Sequence, residues 1–447
     1  MDTVWQTSAL PQGRPLAGDT TEEAVVIGGG LAGLLTAWAL RRRGIRVTVM
    51  EAGEPAGGVT CRTTAKVTAL HGLRYARMLR VLGRERTRLY AAAMLRAVED
   101  YASAAEHGGI DCGWERRKHC LYTRGDGAAL AEERAAAEAV GLPVAAPPPS
   151  ELPFPVGGML CLEQQAVLDP LRFLSAAAAG IPIWTHTTAQ AVDGHMIFTD
   201  RGCVTARHIV IATHFPFVNV PGFYFLRMHQ ERHRVLALRG LPPLAALYND
   251  ADPAGLSLRQ AGELLLLGGE GCRTGTAFSG EPLREQAHAL FPAAEVAADW
   301  WTEDCITHDG LPFIGRFAPS RPDWYIATGF NTWGLTGSMA AARLIADLIC
   351  GQEPPEAALF SPVRHLTRLG AAEFWRDAGR SALSLTAGAL SRPEHRCPHL
   401  GCRMHFREED GVWECPCHGS VYTRDGQRLY GPAVARRKSV PPDGGDA

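Results

Sequence analysis

The chain has 447 residues, which is long enough to bury a large core and to form two or three domains. Its formal net charge of -2 argues against nucleic acid as a main partner. No apolar run reaches the roughly 18 residues that a membrane span needs, and the first residues lack the apolar core of a signal peptide. We therefore expect a cytoplasmic protein without a transmembrane segment.

A strand, a glycine-rich turn, a helix and a second strand are predicted within residues 24–51. The turn matches G-x-G-x-x-G, and Glu51 ends the second strand. Gly28 permits the tight turn, Gly30 lets the backbone approach a pyrophosphate, and Gly33 lets helix and strand pack closely. The free N–H groups of the helix suit phosphates, and Glu51 suits ribose hydroxyls. This order of features predicts a dinucleotide-binding unit.

The loop that follows Glu51 is rich in Gly and Thr and contains Arg62. Its hydroxyl and backbone donors are suited to wrap a phosphate-bearing cofactor, although an ordinary loop has the same composition. A strand is predicted at 208–214, and alternating strands and turns at 221–295 indicate a second domain that covers the cofactor. Residues 329–338 form a second glycine-rich junction, before a helix predicted from Met339.

Twelve cysteines do not fit a secreted disulfide framework, because eight of them are scattered singly. Scattered cysteines are usually small core residues, and we expect that role here. The other four crowd into residues 397–417. That segment contains C-x-H and, further on, C-x-x-H, which together supply two thiolates and two imidazoles.

Two cysteines and two histidines are the ligand set of a Rieske [2Fe–2S] cluster, in which two His replace two Cys on one iron. We assign Cys397, His399, Cys415 and His418 as ligands. Zinc also binds two cysteines and two histidines and remains the alternative. A zinc site, however, needs neither the two further cysteines nor the HGS-x-Y sequence that begins at His418.

The chain resembles the glycine oxidase and D-amino-acid dehydrogenase family of flavoproteins. Four features carry the resemblance over about 22–352: GGGLAG with Glu51, the strand at 210–213, DGLPFIG at 309–315 and ATGFNTWGLTG at 327–337. It implies FAD, with the adenosine at the first junction and the flavin between two domains. The second junction would then lie at the flavin pyrimidine edge, where a helix N-terminus stabilises the anionic reduced ring.

The FAD-binding residues proposed from the motifs and the resemblance are Gly28, Gly30, Leu31, Ala32, Gly33, Glu51, Ala52, Arg62, Thr63, Thr64, Ala65, Ala189, Ala212, Thr213, Gly329, Gly334, Leu335, Thr336 and Gly337.

TTAKVTALHG at 63–72, together with the tail, resembles a subgroup of this family that is fused to a Rieske domain. In Rieske proteins of quinol-oxidising complexes, the cysteines that match Cys402 and Cys417 form a disulfide between the ligand loops. Ser420 and Tyr422 match residues there that hydrogen-bond the cluster sulfurs, and 431–433 resembles the loop that covers the cluster.

The predicted fold class is α/β, with a Rossmann-like FAD-binding domain, an interleaved α+β substrate domain and a small all-β Rieske domain. The predicted boundaries are an N-terminal arm at 1–21, the FAD-dependent oxidoreductase unit at 22–368, its substrate domain at about 101–160 and 221–299, a linker at 369–390, the Rieske domain at 391–440 and a tail at 441–447.

We expect an FAD-dependent oxidoreductase that oxidises an amine or amino acid and relays single electrons through the cluster to an external acceptor, a quinone or a redox protein. An oxygen-using oxidase and a redox-sensing or electron-transfer protein remain the alternatives. Catalytic residues are not identified. Arg259, Arg273 and Arg316 are weak candidates to hold a substrate carboxylate, and Cys305 lies where some relatives attach flavin covalently, although a buried free thiol is the simpler interpretation.

Overall fold

The structure is a computed structural model that describes residues 3–5, 10, 12–252, 255–276, 279–364, 369–408, 411–435 and 437. Its strands are β1 (Thr20–Ile27), β2 (Val47–Met50), β3 (Lys66–Val67), β4 (Glu115–Thr123), β5 (Val144–Ala145), β6 (Gly158–Val167), β7 (Ile183–Trp184), β8 (Ala189–Asp193), β9 (Met196–Thr199), β10 (Cys203–Ile211), β11 (Met228–Arg239), β12 (Leu247–Asp250), β13 (Ser257–Ala261), β14 (Leu264–Arg273), β15 (Glu295–Thr307), β16 (Phe313–Ala318), β17 (Arg321–Thr328), β18 (His405–Arg407), β19 (Val412–Glu414), β20 (Val421–Thr423) and β21 (Arg428–Tyr430). Its α-helices are α1 (Leu31–Arg42), α2 (Tyr75–Ala102), α3 (Ala128–Ala139), α4 (Pro170–Ala177), α5 (Glu281–Leu290), α6 (Gly334–Ile349), α7 (Ala357–Phe360) and α8 (Ala371–Leu390).

The first sheet has the order β16-β17-β10-β1-β2-β7, with the hairpin β8–β9 added beside β10. Strands β17, β10, β1, β2 and β7 pair in parallel, whereas β16 is antiparallel. The apolar residues of β1 are fully buried, since α1 and α6 cover one face of the sheet. A parallel sheet with buried strands and helices on it is the arrangement predicted for the dinucleotide-binding domain.

The second sheet has the order β15-β11-β14-β13-β12-β4-β6-β3, with β5 beside β6. Most neighbouring strands are antiparallel. The long pairs β11–β15 and β11–β14 lie at one edge of the sheet, where β15 is the edge strand. Odd-numbered residues of β11 such as Val235 join the large core shared with α2, whereas Leu236 joins a smaller core covered by α5. One face of this sheet therefore looks towards the first domain and the other looks outward.

The tail forms a third, small sheet with the order β18-β19-β20-β21, in which all pairs are antiparallel. Helix α8 precedes it and occupies the segment that we had predicted to be a linker at 369–390. The apolar and alanine content of this segment favours helix. Its two buried residues anchor it, since Asp377 is ion-paired with Arg273 and Gly388 packs on Gly401.

Two of the scattered cysteines form a disulfide that the sequence analysis did not predict. Cys120 of β4 and Cys161 of β6 are directly opposite each other across the antiparallel pair, with their Cα atoms 4.1 Å apart. The prediction that the scattered cysteines are all plain core residues is therefore wrong for this pair. Their apposition depends on the register of two strands 41 positions apart, which spacing alone does not reveal.

None of the helices in the described part of the chain is long and apolar enough to cross a membrane.

Candidate functional site

The first glycine-rich turn joins β1 to α1 at one wall of a large cavity. Gly28 has a φ of +109°, and a Cβ there would lie 2.5 Å from the Ala212 carbonyl oxygen. A Cβ on Gly33 would lie 1.8 Å from the Gly28 carbonyl oxygen, so only glycine lets α1 pack this closely on β1. Because the glycines have no side chains, the backbone of the turn is accessible where a pyrophosphate is expected to bind.

Glu51 follows β2 at the same edge of the first sheet and lines the cavity. Its Oε2 accepts a hydrogen bond of 2.7 Å from the Gly29 N–H, and its Oε1 accepts one of 2.7 Å from the Gly53 N–H. The carboxylate therefore holds both the glycine-rich turn and its own loop. Its position at the carboxyl end of β2 fits the predicted contact with a ribose.

The loop after Glu51 folds back over the start of α1. Thr60 Oγ1 accepts a hydrogen bond of 2.9 Å from the Leu31 N–H, and the Arg62 carbonyl oxygen accepts one of 2.9 Å from the Trp300 indole N–H. These contacts tie the loop to both sheets. The predicted wrapping loop thus lies between the helix N-terminus and the second domain.

The second junction begins a helix earlier than expected. Helix α6 starts at Gly334, not at Met339, so the predicted start is wrong by more than one turn. Glycine lowers helix propensity, but here packing requires it, because a Cβ on Gly337 would lie 2.5 Å from the Phe330 ring. The N–H groups of the first turn of α6, around Gly334, are thereby left facing the cavity.

A single cavity of 2930 Å³ connects both junctions and is bounded by the two larger sheets and by tail residues such as Val421 and Tyr430. The predicted FAD-binding residues that line it are Gly28, Gly30, Leu31, Ala32, Glu51, Ala52, Arg62, Thr63, Thr64, Ala189, Ala212, Thr213, Gly334 and Leu335. Five others do not line it, and these are Gly33, Ala65, Gly329, Thr336 and Gly337. Gly33 and Gly337 act through close packing, and Thr336 hydrogen-bonds the Thr68 carbonyl oxygen at 3.0 Å.

A buried polar network lies between the second junction and the second sheet. Lys66 Nζ donates a hydrogen bond of 2.8 Å to Asn249 Oδ1, which also lies 3.0 Å from His119 Nε2. His119 Nδ1 lies 2.7 Å from Thr68 Oγ1. Burial lowers the pKa of His119 to about 3 and holds that of Lys66 well below its usual range. Sequence reasoning missed this network, because its members come from separate strands.

Arg259 is not free to bind a substrate carboxylate. Its guanidinium donates to the carbonyl oxygens of Thr64 at 2.6 Å and Leu168 at 3.1 Å, and the residue is 3% exposed. It does not line the cavity. Arg259 instead joins the wrapping loop to the second sheet, so its assignment as a substrate anchor is wrong.

The other two arginine candidates are also engaged elsewhere. Arg273 forms an ion pair with Asp377 of α8, and Arg316 forms one with Glu353 on the surface. Neither side chain lines the cavity. The sequence identified neither acidic partner, since each becomes a neighbour only in the folded chain.

Cys305 lies on β15 with a buried, free thiol. It packs in the core that contains Phe313 and Tyr224, and burial raises the pKa of the thiol well above its usual range. A protonated thiol is a poor nucleophile. The thiol is therefore buried and free, as the simple interpretation expects, and Cys305 is also among the residues that line the cavity.

The four predicted cluster ligands lie together in the tail. The Cys397 and Cys415 thiols hydrogen-bond each other, and the rings of His399 and His418 are 5.0 Å apart. The Nδ1 atoms of both rings are buried and lack a hydrogen-bond partner among the described residues. Two adjacent thiols with two bare imidazole nitrogens make the donor set that a Rieske cluster requires, so these residues fit the group.

The two additional cysteines are free thiols in this structure, in contrast to the disulfide that the resemblance implies. The sulfurs of Cys402 and Cys417 lie within 4.8 Å of each other and of the Cys415 sulfur. They are therefore close enough for oxidation to join them after a small adjustment. The disulfide stays a prediction.

Ser420 and Tyr422 are both fully buried beside the ligand cysteines. The pKa of Cys397 is lowered chiefly by its hydrogen bond to Cys415, and a hydrogen bond from Ser420 adds to this. The Tyr422 hydroxyl donates instead to the Ala435 carbonyl oxygen at 3.2 Å, which differs from the expected bond to a sulfur. Of the two hydroxyls, only that of Ser420 is directed at a ligand sulfur here.

The tail places His399 and His418 against the loop between β10 and β11, which belongs to the predicted flavin domain. His399 Nε2 donates to Asn219 Oδ1 at 2.6 Å, and His418 Nε2 donates to the Phe225 carbonyl oxygen at 2.9 Å. A proton held on Nε2 leaves Nδ1 unprotonated in the neutral ring, which is the form that binds iron. The flavin domain therefore both holds the tail and selects the ligating tautomer.

A thin layer of side chains separates these two histidines from the cavity. Phe215 lines the cavity, and its ring centroid lies 5.2 Å from that of His418. Gln230 also lines the cavity, and its Nε2 donates to the His418 carbonyl oxygen at 2.9 Å. Both residues contact the tail directly while forming part of the cavity wall.

Helix α8 connects the cavity to the cysteine side of the tail. Near its start, Glu373 and Arg376 line the cavity. Near its end, the Ser384 carbonyl oxygen accepts a hydrogen bond of 3.2 Å from the Arg403 N–H. A Cβ on Gly388 would lie 2.0 Å from the Gly401 carbonyl oxygen, so the helix packs closely on a cluster-binding loop.

Together, the fold and the two sites define a flavin-dependent oxidoreductase joined to an iron–sulfur domain. The model of the FAD dependent oxidoreductase family matches residues 23–348, and that of the Rieske [2Fe-2S] domain matches residues 376–441. The chain belongs to the FAD-dependent oxidoreductase family and carries a Rieske domain. FAD and a [2Fe–2S] cluster are therefore its cofactors, and the prediction of both is confirmed.

The chain is similar to the "Putative Rieske 2Fe-2S iron-sulfur protein YhfW" of Bacillus subtilis, with 30% identity over 499 aligned residues that cover 98% of this chain and 97% of the relative. A cytochrome b6-f complex iron-sulfur subunit of Chlorobaculum tepidum is 44% identical over 45 residues, which cover 10% of this chain and 25% of that protein.

Two solved structures show the same fold as the flavin-binding part. L-proline dehydrogenase from P. horikoshii has a TM-score of 0.65 and 20% identity, covering 78% of this chain and 98% of its own. Glycine oxidase from Geobacillus kaustophilus has a TM-score of 0.65 and 21% identity, covering 77% and 99%.

Proposed function

We propose that this protein is a dehydrogenase that oxidises an amine or amino-acid-like substrate and passes the electrons through its own Rieske cluster to an external acceptor, a quinone or a redox protein. The bound FAD supplies an acceptor for hydride, and the cluster supplies a one-electron carrier. The observation that carries the proposal is the docking of His399 and His418 onto the flavin domain, beside the cavity wall.

The loop between β10 and β11 has a central role in this proposal. It contributes Phe215 to the cavity wall and supplies Asn219 and Phe225 as partners for the two histidines. A short, fixed separation favours electron transfer within the chain over exchange with a diffusing partner. The two solved structures with this fold are named as an L-proline dehydrogenase and a glycine oxidase, which supports a substrate with an amino group.

The first turn of α6 has an electrostatic role. Its N–H groups, near Gly334 and Leu335, lie at the cavity wall and carry the partial positive charge of a helix N-terminus. Negative charge that develops on a cofactor ring there is stabilised. The partly buried setting of the cavity wall strengthens that interaction relative to water.

A substrate panel under anaerobic conditions tests the function. The purified holoenzyme is mixed with amines and amino acids in the presence of a dye acceptor, and parallel reactions contain oxygen alone. We expect dye reduction without comparable hydrogen peroxide formation. Peroxide formation at the same rate would favour an oxidase, and absence of turnover with every compound would favour a redox sensor.

A second experiment tests the relay. Rapid mixing with a reducing substrate is followed at separate wavelengths for flavin and cluster. We expect Asn219→Leu to slow cluster reduction at least tenfold while flavin reduction is unchanged, because the His399 contact is lost. Phe223→Leu is the matched control, since Phe223 lies in the same loop but is 46% exposed. Equal rates in both variants would contradict an intramolecular route through this contact.

A further inference from the structure

Two carboxylates face each other inside the cavity. Glu231 of β11 and Asp304 of β15 are directly opposite across the antiparallel pair, and both line the cavity. Like charges in directly opposed positions destabilise a sheet. The arrangement therefore has an energetic cost that a cation bound between them would offset.

The Asp304 carboxylate has neither a hydrogen bond nor an ion pair within the described part of the chain. Glu231 has one partner, His229, whose Nε2 lies 3.1 Å from Glu231 Oε1. Burial raises the pKa of Asp304, the nearby His233 lowers it in part, and Glu231 raises it further. The neighbours of the pair are thus the imidazoles of His229 and His233, which carry a charge only when they are protonated.

The surrounding groups do not neutralise the pair. Arg273 is opposite Glu231 on β14, but its guanidinium forms an ion pair with Asp377. Burial lowers the pKa of His229, but the hydrogen bonds that its ring donates to Asp377 and Glu231 outweigh burial and raise it. His233 also lines the cavity and attracts both carboxylates of the pair. Among these groups Arg273 is the one permanent cation beside three carboxylates, since an imidazole is charged only when it is protonated. We call Glu231 and Asp304 the acidic pair.

A separate observation also points to a ligand at this end of the cavity. His308 is 5% exposed and lines the cavity, and its Nδ1 has no hydrogen-bond partner among the described residues. Its Nε2 bonds Asp377 at 2.8 Å, and its ring stacks on His229 with centroids 6.2 Å apart. A buried nitrogen without a partner is costly unless a ligand or water meets it.

The acidic pair lies next to the second junction. The Asn331 N–H donates to the Cys305 carbonyl oxygen at 3.1 Å, and Asn331 Oδ1 accepts from the Thr307 N–H at 2.8 Å. Asp304 is therefore on the strand that directly borders the loop leading into α6. A molecule held by the acidic pair would lie beside the region proposed for the flavin.

Five of the six Arg and Lys side chains in the described cavity wall are hydrogen-bonded to other groups. These are Lys66 with Asn249, Arg74 with Tyr90, Arg77 with the Leu369 carbonyl, Arg376 with Glu373, and Arg428 with the Gly431 carbonyl. The sixth, Arg62, stacks on Trp301 and lies in the loop expected to wrap the cofactor. The three arginines expected to bind a carboxylate lie outside the cavity altogether.

We propose that the acidic pair binds the ammonium group of the substrate, and that the substrate is a cationic amine without a carboxylate next to the amino group. This inference rests on the proposed function, which left amines and amino acids equally open. It narrows the class because an α-carboxylate would be placed beside Glu231 and Asp304 without a guanidinium to receive it.

Matched pairs of compounds test the inference. 2-Phenylethylamine and phenylalanine, and likewise 1,5-diaminopentane and lysine, differ only in the carboxylate. Binding to the oxidised, FAD-loaded protein is measured by the shift of the flavin absorption band, which needs no turnover. We expect each amine to bind at least tenfold more tightly than its carboxylated counterpart.

Variants then locate the binding group. Asp304→Asn and Glu231→Gln should each weaken amine binding about tenfold to a hundredfold, since each removes a charge-assisted contact. Asp304→Glu should restore most of the binding. Glu295→Gln is the matched control, because Glu295 lies on the same strand but is exposed outside the cavity, and it should bind amines like the wild type. FAD content confirms that each variant is folded.

The possible results separate this inference from the proposed function. If amino acids bind and reduce the flavin better than the matched amines, the proposed function stands and the acidic-pair inference is overturned. Unchanged amine binding in both neutralised variants also overturns it. If neither class of compound shifts or reduces the flavin, the proposed function and the inference are both overturned.

Discussion

Arg232 of β11 and Glu414 of β19 form an ion pair with an Nη2–Oε2 distance of 3.0 Å, and their side chains are 0% and 1% exposed. Glu414 also accepts a hydrogen bond of 2.8 Å from the Gly275 N–H and lies 3.1 Å from Arg407. Two of these three contacts cross between the second sheet and the tail. Because Glu414 directly precedes Cys415, this buried pair fixes a cluster-binding loop on the flavoprotein.

We predict that Arg232→Met loosens the tail, because it leaves the buried Glu414 without its partner from the second sheet. Breaking a buried pair by removing one partner typically costs about 3–5 kcal/mol. Limited proteolysis within α8 should become faster, and cluster reduction by the flavin should slow. Arg239→Met, at the exposed end of the same strand, is the control. If both variants are cleaved at the same rate, the ion pair does not hold the tail.

Metal analysis of the purified protein should find iron and acid-labile sulfide in equal amounts, two of each per chain, because the donor set is that of a [2Fe–2S] cluster. We predict that His418→Cys lowers the reduction potential, since a thiolate adds negative charge to the iron. His405→Cys serves as the control, because His405 is exposed in the same domain. One zinc per chain without sulfide would contradict the assignment.

The two buried hydroxyls of the tail should affect the cluster unequally. We predict that Ser420→Ala lowers the reduction potential more than Tyr422→Phe, because the Ser420 hydroxyl contacts Cys397 whereas that of Tyr422 bonds Ala435. Hydrogen bonds to sulfur stabilise the reduced cluster. Redox titration of each variant gives the order directly. A larger effect of the Tyr422 change would mean that its hydroxyl turns to a sulfur when the cluster is bound.

Replacement of Glu51 by Ala should reduce the FAD content of the purified protein. The change removes the proposed ribose contact, worth about 1.5–3 kcal/mol for a bond to a charged group, and also frees the Gly29 and Gly53 N–H groups. FAD released by acid denaturation is measured against protein concentration. Asp193→Ala is a suitable control, since its side chain is 76% exposed at the edge of the first sheet. Equal FAD content in both variants would contradict the role of Glu51.

The acidic pair should make stability depend on pH. Burial raises the pKa of Asp304 from 3.8 to about 6, so the folded state binds a proton that the unfolded state releases. The free energy of unfolding therefore falls as the pH rises between about 4 and 6. Asp304→Asn should remove this fall and gain about 1–2 kcal/mol above pH 7.

Thermal unfolding of the wild type, Asp304→Asn and Glu295→Gln across this pH range measures the effect. The control should follow the wild type, because Glu295 is exposed. If Asp304→Asn keeps the full pH dependence, another group is responsible. Amine affinity should also rise as the pH passes about 6, since the ionised carboxylate is the form that attracts a cation.

Local sequence patterns predicted both glycine-rich junctions and the donor set of the tail, because each consists of residues within one short segment. The roles of Gly28 and Gly33 depend on local steric limits, so the spacing of the glycines in the motif is enough to predict them. The predicted start of α6 was wrong because a contact in the folded chain, and not the local sequence, decides where this helix begins. Its glycines weaken helix propensity locally, and only the packing of Gly337 on Phe330 explains why they lie inside the helix.

Contacts between segments that are distant along the chain could not be predicted from the sequence. His399 meets Asn219 across 180 positions, and nothing near either residue indicates the other. The arginine assignments failed in the same way, because a side chain such as Arg259 becomes a structural group only when its carbonyl partners arrive from other strands. The acidic pair likewise depends on the register of β11 against β15.

Helix α8 has one end at the flavin cavity and the other against the cluster-binding loops, and this sets a rule for how the two redox centres can be spaced. An α-helix advances about 1.5 Å and turns about 100° with each residue. One residue inserted between Asp377 and Ser384 would therefore swing the whole tail about a third of the way around the helix axis. A whole inserted turn would restore the rotation but would still move the tail about 5.4 Å along the helix axis. The length of α8 and the docking of His399 on Asn219 therefore constrain each other.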